Sequence, residues 1–322
     1  LRGSVLSDIL RDKVVDIRVC KTKSARDVVE MYGLMGGFSS KFVYDAYKIL
    51  MEMFSDKDCK VFLSFTANLL ATGLRGVISE LIEKGFIDVI ITTGGSVDHD
   101  VARALGGSYY HGDFSYDDAF LKEHGIFRLG NILIPQDSYG VIIEKFTWNL
   151  LDELTKVKSV WGVRELLSEV GARLNDDNSF LRQAYLRGVP VYIPGIVDSC
   201  FGTSLLMYSQ SHKFNIDVLK DQKELSDIVF DSKVTGALMI GGGISKHHTI
   251  WWNQFKGGLD YAVYLTTAFE YDGSLSGAQI REAVSWGKVK PEAKKVTVYG
   301  DATIILPILL AAVYESLNVK CS

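Results

Sequence analysis

Cysteine is scarce in this chain and badly placed for cross-linking or metal binding. Cys20, Cys59, Cys200 and Cys321 are widely scattered and form no C-x-x-C pair, which excludes the usual signatures of a structural zinc site and of a disulfide framework. His247 and His248 are adjacent, so they cannot share one helix face, and no third ligand stands at metal spacing; no metal is expected. No run reaches the eighteen or so apolar residues of a membrane span, and the N-terminal residues lack a signal peptide's apolar core. A cytoplasmic chain without a membrane partner is therefore expected. Excess charge is missing too: a net charge of −4 offers no basic surface for nucleic acid and is compatible with a small cationic ligand. No Pro/Gly/Ser-rich linker and no block of charge interrupts the 322 residues, which read as one α/β domain over 39–322 behind an N-terminal arm, 1–38. In that arm Val28, Val29 and Leu34 are candidate contacts, and Gly33, Gly36 and Gly37 break the helical pattern.

What the chain does carry is concentrated between Gly241 and Lys288. Residues 236–240 (GALMI) read as a short strand, and Gly241, Gly242 and Gly243 turn it into a helix. Backbone N–H groups in such a turn lie open to a phosphate or ribose, although a tight turn that needs only positive φ gives the same pattern. Residues 261–267 (YAVYLTT) are β-branched, aromatic and uncharged, as befits a strand buried on both faces. They run into Ala268 and a polar loop holding Asp272. Functional side chains of open α/β sheets collect beyond the carboxyl ends of the strands, so the glycines, His247 and Asp272 are expected around one crevice. Residues 277–284 read as a helix start with Ser276 as N-cap and Glu282 on the helix, leading into Trp286 and Lys288. An ordinary lysine is neutral in only about one molecule in two thousand at pH 7, so a nucleophilic lysine must be buried or lie near another cation. Trp286 offers a dry wall; the plain alternative is a solvated surface lysine.

Elsewhere the pattern predicts a helix over 40–54 and a strand over 59–66, opening onto Ala67, Asn68 and Leu69 and then a helix to 81. A strand over 89–93 ends in Gly94, Gly95 and Ser96, followed by Asp98, His99 and Asp100. Strands at 131–135 and 191–193, the second ending near Asp198, and helices within 141–170 and over 180–186 complete the reading. Neither GxGxxG nor a Walker loop occurs. Dinucleotide binding rests instead on repeated strand ends: 66–68, 92–96, Asp198, the glycine run, Thr267 with Ala268, and Gly300 with Asp301. The carboxylates of Asp98 and Asp100 suit an amine, or merely a solvated helix start favoured by the dipole. One histidine of the pair can orient an amine or shuttle a proton, while lone histidines commonly serve as structural hydrogen-bonders.

The runs GGGISKHH (241–248), YAVYLTTA (261–268) and YDGSLSGA (271–278), followed by EAVSWGK (282–288), resemble deoxyhypusine synthase. TANL (66–69) with Gly73 and Arg75, DVIITTGG (88–95), GNILIP (130–135) and Asp301 with Ala302 after KVTVYG extend the likeness in order from about 28 to about 315. The resemblance implies a single Rossmann-like α/β domain with a mostly parallel central sheet flanked by helices. It implies NAD as cofactor and transfer of spermidine's aminobutyl group, through an imine on a lysine, to a lysine of the translation factor that becomes hypusinated. A homotetramer with shared active sites belongs to the same expectation. Residue by residue, the resemblance makes Lys288 the nucleophile with His247 beside it. It places Asp98, Thr203, His247, Asp272, Glu282 and Trp286 on the polyamine. Asn68, Thr93, Gly94, Asp198, Gly242, Thr267, Ala268 and Asp301 line the dinucleotide.

The match departs at the amine. Thr203 and Leu275 stand where eukaryotic members carry aspartate, Trp251 where they carry asparagine, and His99 where they carry glutamate; Ala67 and Ala71 replace serines along the cofactor. Without up to three of those carboxylates, the site forgoes charge-assisted bonds of about 1.5–3 kcal/mol each unless the cleft is rebuilt. Two other readings follow: a homospermidine-synthase-like transfer to a small diamine, and a non-catalytic homologue that keeps the dinucleotide.

Overall fold

The computed structural model describes residues 12–320, so the first eleven residues of the arm and Cys321 lie outside them. Among the described residues, six strands form one sheet in which every pairing is parallel. In chain order they are β1 (Cys59–Phe65), β2 (Val89–Ile91), β3 (Val191–Tyr192), β4 (Val234–Ile240), β5 (Leu259–Thr266) and β6 (Val289–Tyr299). In space they run β6-β5-β4-β1-β2-β3. The expected α/β class with a parallel central sheet is thus observed. The order reverses between β1 and β4, and at such a switch point the connections leave in opposite directions and open a crevice beyond the strands' carboxyl ends.

Alternate side chains of the strands enter two separate cores. Leu63, Phe65, Leu238, Ile240, Val263 and Leu265 pack on one face with Leu50 of the Phe38–Ser55 helix and Leu309 of the Ala302–Ser316 helix. Phe62, Ala237, Met239, Ala262 and Tyr264 pack on the other with Ile250 of the Gly243–Asn253 helix and Val229 of the Val218–Asp231 helix. Burial on both faces is the physical reason the centres of β1, β4 and β5 carry no charge. β6 is an edge strand, and the edge explains its composition: Pro291 has no N–H to donate and is tolerated where one side of the ladder has no partner among the described residues.

Two expectations need correction. The strand at Ile132–Pro135 is not in the main sheet; it pairs antiparallel with Ile126–Leu129 and Tyr110–His111 in a separate three-stranded sheet. Ser276 is not an N-cap. The segment forms only a short 3-10 helix, Ile280–Val284, with Gln279 at its N-cap, and the Ser276 carbonyl is held by the hydroxyls of Tyr264 at 2.6 Å and Thr266 at 3.1 Å.

Near the N-terminus, the Ser24 hydroxyl caps the Ala25–Met35 helix by accepting from the Asp27 N–H at 3.2 Å. This helix lies against the Phe38–Ser55 and Ala302–Ser316 helices, with Val29 fully buried and Leu34 exposed. The Glu315 carboxylate accepts from the first N–H groups, those of Ala25 at 3.2 Å and Arg26 at 2.9 Å, where a negative charge also meets the positive end of the helix dipole.

Candidate active site

The Gly243–Asn253 helix begins just past the end of β4. Lys246 and Ile250, like His247 and Trp251, stand four residues apart and therefore share a side of the helix. Facing them, the strip from Leu275 to Lys288 folds back over the same face of the sheet, and together they enclose a cavity of about 290 Å³. Lys288, His247, Glu282 and Trp286 all line it, so four of the residues singled out in the sequence meet in one chamber.

Lys288 does not enter from the carboxyl end of a strand, where functional side chains were expected. It stands immediately before β6: its N–H donates to Ala283 O at 3.0 Å, its C=O accepts from Leu259 N–H at 3.1 Å, and Gly287, at φ +69°, makes the turn that brings it in. The residue is only 8% exposed. Its Nζ lies 3.5 Å from His247 Nε2 and 5.1 and 5.6 Å from the ring centroids of Trp286 and Trp251. His247 is stacked on Trp251, centroids 5.7 Å apart. Burial, reinforced by the charges of Lys288 and Lys246, holds the imidazole below its ordinary pKa. His247 is therefore neutral at pH 7, with one ring nitrogen able to accept a proton. Among the described residues, Glu282 is the only carboxylate lining this chamber.

One member of the site escaped the sequence reading. Lys246 is 3% exposed; its Nζ donates to Ala278 O at 2.7 Å and lies 4.1 Å from the centroid of Tyr264. Burial pulls its pKa down to about 8, with Glu282 opposing and Lys288 adding to the shift. The available signal was its position four residues before Ile250, on the inward side of the helix.

Three predicted amine contacts lie outside this chamber. Asp98 is buried, and its carboxylate accepts from the N–H groups of Cys200 and Phe201, both at 2.8 Å, and from the Tyr139 hydroxyl at 3.1 Å. It thus satisfies the first turn of the Cys200–Ser209 helix. Burial outweighs these bonds and raises its pKa. The solvated helix start weighed for Asp98 and Asp100 is therefore not what the structure shows, since both are buried. Asp100 instead holds Arg75 at 2.6 Å. Thr203 lines a second cavity of about 590 Å³ with His99, Tyr139, Cys200 and Met207. His99 Nδ1 is 2.8 Å from the Tyr109 hydroxyl. Asp272 is exposed, and its carboxylate accepts from Ser274 N–H at 2.7 Å within its own loop.

The residues predicted to meet a dinucleotide follow the carboxyl edge of the sheet in spatial order: Asp301 after β6, Thr267 and Ala268 after β5, Gly242 after β4, Asn68 after β1, Thr93 and Gly94 after β2, and Asp198 after β3. Asp301 is already engaged as the N-cap of the Ala302–Ser316 helix, accepting from Thr303 N–H at 2.8 Å. Gly94 and Gly242 are required by the fold itself, because a Cβ would come within 2.7 Å of Ser199 Cβ or 2.4 Å of Ser276 Cα. Gly243 differs. At φ +69°, it has open space where a Cβ would stand, with no atom outside its own turn within 4 Å.

The family model for deoxyhypusine synthase matches residues 27–313. The chain belongs to the deoxyhypusine synthase family. A relative from Sulfurisphaera tokodaii named "Probable deoxyhypusine synthase" is 52% identical over 305 residues, 95% of this chain and 98% of its own. One of the same name from Ignicoccus hospitalis is 53% identical over 311 residues, 95% of this chain and 97% of its own. A crystal structure from Entamoeba histolytica that carries the family name shares the fold at a TM-score of 0.63 with 19% identity, covering 94% of this chain and 96% of its own. Among the described residues, no helix is long and apolar enough to cross a membrane, and no group of histidine, cysteine or carboxylate side chains could hold a metal ion.

Proposed function

We propose that the chain is an NAD-dependent aminobutyl transferase. It takes the aminobutyl group of spermidine onto Lys288 as an imine and passes it to a lysine of the acceptor translation factor. The observation that carries this reading is the chamber itself: a buried lysine amine, a neutral histidine 3.5 Å away and the Glu282 carboxylate, walled by two indoles.

The carboxyl edge fits a dinucleotide. The first-turn N–H groups of the Gly243–Asn253 helix have no intrahelical partners and point towards the switch-point crevice. NAD, when bound, supplies reversible acceptance of a hydride from the carbon beside the amine. Everything else falls to the chain's own residues. His247 Nε2 takes the proton that Lys288 Nζ must lose before it can attack. Glu282 pairs with an ammonium of the polyamine. Trp286 keeps water from the reacting carbon.

A homotetramer with active sites shared between paired subunits, acting in the cytoplasm, completes the reading. It accommodates the placement of Thr203, which lines a second cavity and not the chamber of its own Lys288: a contact from Thr203 to the polyamine would come from the paired subunit. Phe127, Val141 and Met207 leave apolar surface exposed around that second cavity.

The deciding experiment is borohydride trapping after incubation with NAD and spermidine. An aminobutyl mass increment on Lys288 that disappears in Lys288→Arg supports the reading, and turnover undiminished in Lys288→Arg overturns it. Adding acceptor protein or putrescine to the loaded enzyme before the quench then separates transfer to a protein from transfer to a small diamine.

A further inference from the structure

Trp251 occupies an odd position for so large an apolar side chain. It is 40% exposed at the mouth of the chamber, yet its orientation is fixed on two sides, stacked on His247 and edge-on to Phe255 with centroids 5.8 Å apart. Its indole and that of Trp286 both lie within cation–π reach of the same atom, Lys288 Nζ. The Glu282 carboxylate is shared with a second buried lysine, Lys246. A cation centred on Nζ therefore has, beyond the neutral His247 ring at 3.5 Å, two aromatic faces within reach.

We propose that Trp251 forms, with Trp286, an aromatic box that retains the covalent adduct on Lys288; this rests on the reading of Lys288 as the nucleophile and extends it. In the capture step the neutral amine attacks the iminium carbon of the oxidised polyamine, for which NAD has been the oxidant. The carbon–Nζ bond forms, the bond from that carbon to the departing amine breaks, and one proton passes from Nζ to the departing nitrogen. The positive charge stays on the new iminium, at Nζ. In the competing hydrolysis water adds to the same carbon, the carbon–Nζ bond breaks, an aldehyde leaves and Lys288 returns as an ammonium. An iminium spreads its charge over C=N and is less strongly hydrated than a lysine ammonium, so two indole faces favour it over the hydrolysed state. The same faces, with Leu275 at the rim, obstruct the water that hydrolysis needs.

The adduct can be built without NAD. Aminobutanal condenses with the Lys288 amine and one proton to give the same iminium and water. The full chain is loaded with aminobutanal, diluted into aldehyde-free buffer and quenched with borohydride at intervals, and the reduced adduct on the Lys288 peptide is followed by mass spectrometry. Wild type and Trp251→Phe are expected to lose the adduct slowly and at similar rates, and Trp251→Leu about three- to tenfold faster. Tyr271→Ala, at an exposed position outside the chamber, is expected to match wild type. Decay of Trp251→Leu at the wild-type rate, or equal acceleration by Tyr271→Ala, overturns the box while leaving the NAD-dependent reading to its own test. If Trp251→Leu fails to fold by circular dichroism, Trp251→Gln takes its place, with the same outcomes on either side. Failure of wild type to form any adduct from the aldehyde removes the box together with the nucleophile it serves.

Discussion

Replacing Lys246 by methionine should change how the protein's stability depends on pH. Burial lowers the Lys246 pKa from 10.5 to about 8, so the folded chain holds this proton less tightly than the unfolded chain does. Below pH 8 both states are protonated, and the folded state carries the full penalty of a buried ammonium, about 3 kcal/mol. Between pH 8 and 10.5 the folded chain has released the proton and the unfolded chain has not, so stability rises with pH across that window. The hydrogen bond to Ala278 O and the contact with Tyr264 stabilise the ammonium, but the depressed pKa shows that they do not offset desolvation. Methionine keeps most of the volume and abolishes the titration. Urea unfolding of wild type and Lys246→Met, at about pH 7 and about pH 10, isolates the effect because the other ionisable groups largely cancel in the difference. Wild type should gain about 2.5 kcal/mol relative to the variant between the two conditions. A difference that stays flat across this range would show that Lys246 is solvated or paired in the folded protein, and the account of a dry, crowded chamber would have to be given up.

Two substitutions separate structural from ligand-binding roles. Gly242→Ala places a Cβ 2.4 Å from Ser276 Cα, against a segment whose carbonyl is already held by Tyr264 and Thr266; a loss of about 1–3 kcal/mol is expected in thermal unfolding. Gly73→Ala, at φ −67° with open space around the Cβ, serves as the neutral control. Asp98→Asn keeps the shape but turns an amide N–H towards the backbone N–H of Cys200 or Phe201, leaving a buried donor unmet. It should lower stability by about 1–3 kcal/mol while changing spermidine affinity of the folded protein less than twofold by calorimetry; a large drop in affinity without loss of stability would return Asp98 to the substrate.

Much of the fold was legible because strands buried on both faces leave a mark that needs no partner to read. GALMI and YAVYLTT carry no charge, and both fall on interior strands of the sheet, β4 and β5. β6 was harder, since an edge strand tolerates Pro291, Glu292 and two adjacent lysines that argue against a strand anywhere else. Ser276 misled for a different reason. A serine ahead of an acidic, apolar run satisfies the local rule for an N-cap, but Tyr264 and Thr266, on a strand paired elsewhere, had already engaged its carbonyl. The family motifs brought Lys288, His247, Glu282 and Trp286 to one place, and composition alone gave no hint that Lys246 shares it.

The same limit applies to the carboxylates read as amine contacts. Asp98 and Asp272 look alike in sequence, yet one is committed to N–H groups more than a hundred residues away and the other to its own loop. Their partners are set by tertiary structure, which local spacing does not encode. The polar and aromatic side chains around Lys288 include His247, the Glu282 carboxylate, a second lysine and two indoles. Coulomb attraction from Glu282 is divided among several cations once a polyamine enters, so the selectivity of this chamber has to come largely from surfaces that bind cations without charge of their own. Leu275 and Trp251, both on the wall of the chamber, are surfaces without charge. At Trp251 an aromatic face lies 5.6 Å from Lys288 Nζ, a surface that attracts a cation through its ring quadrupole and helps to exclude water.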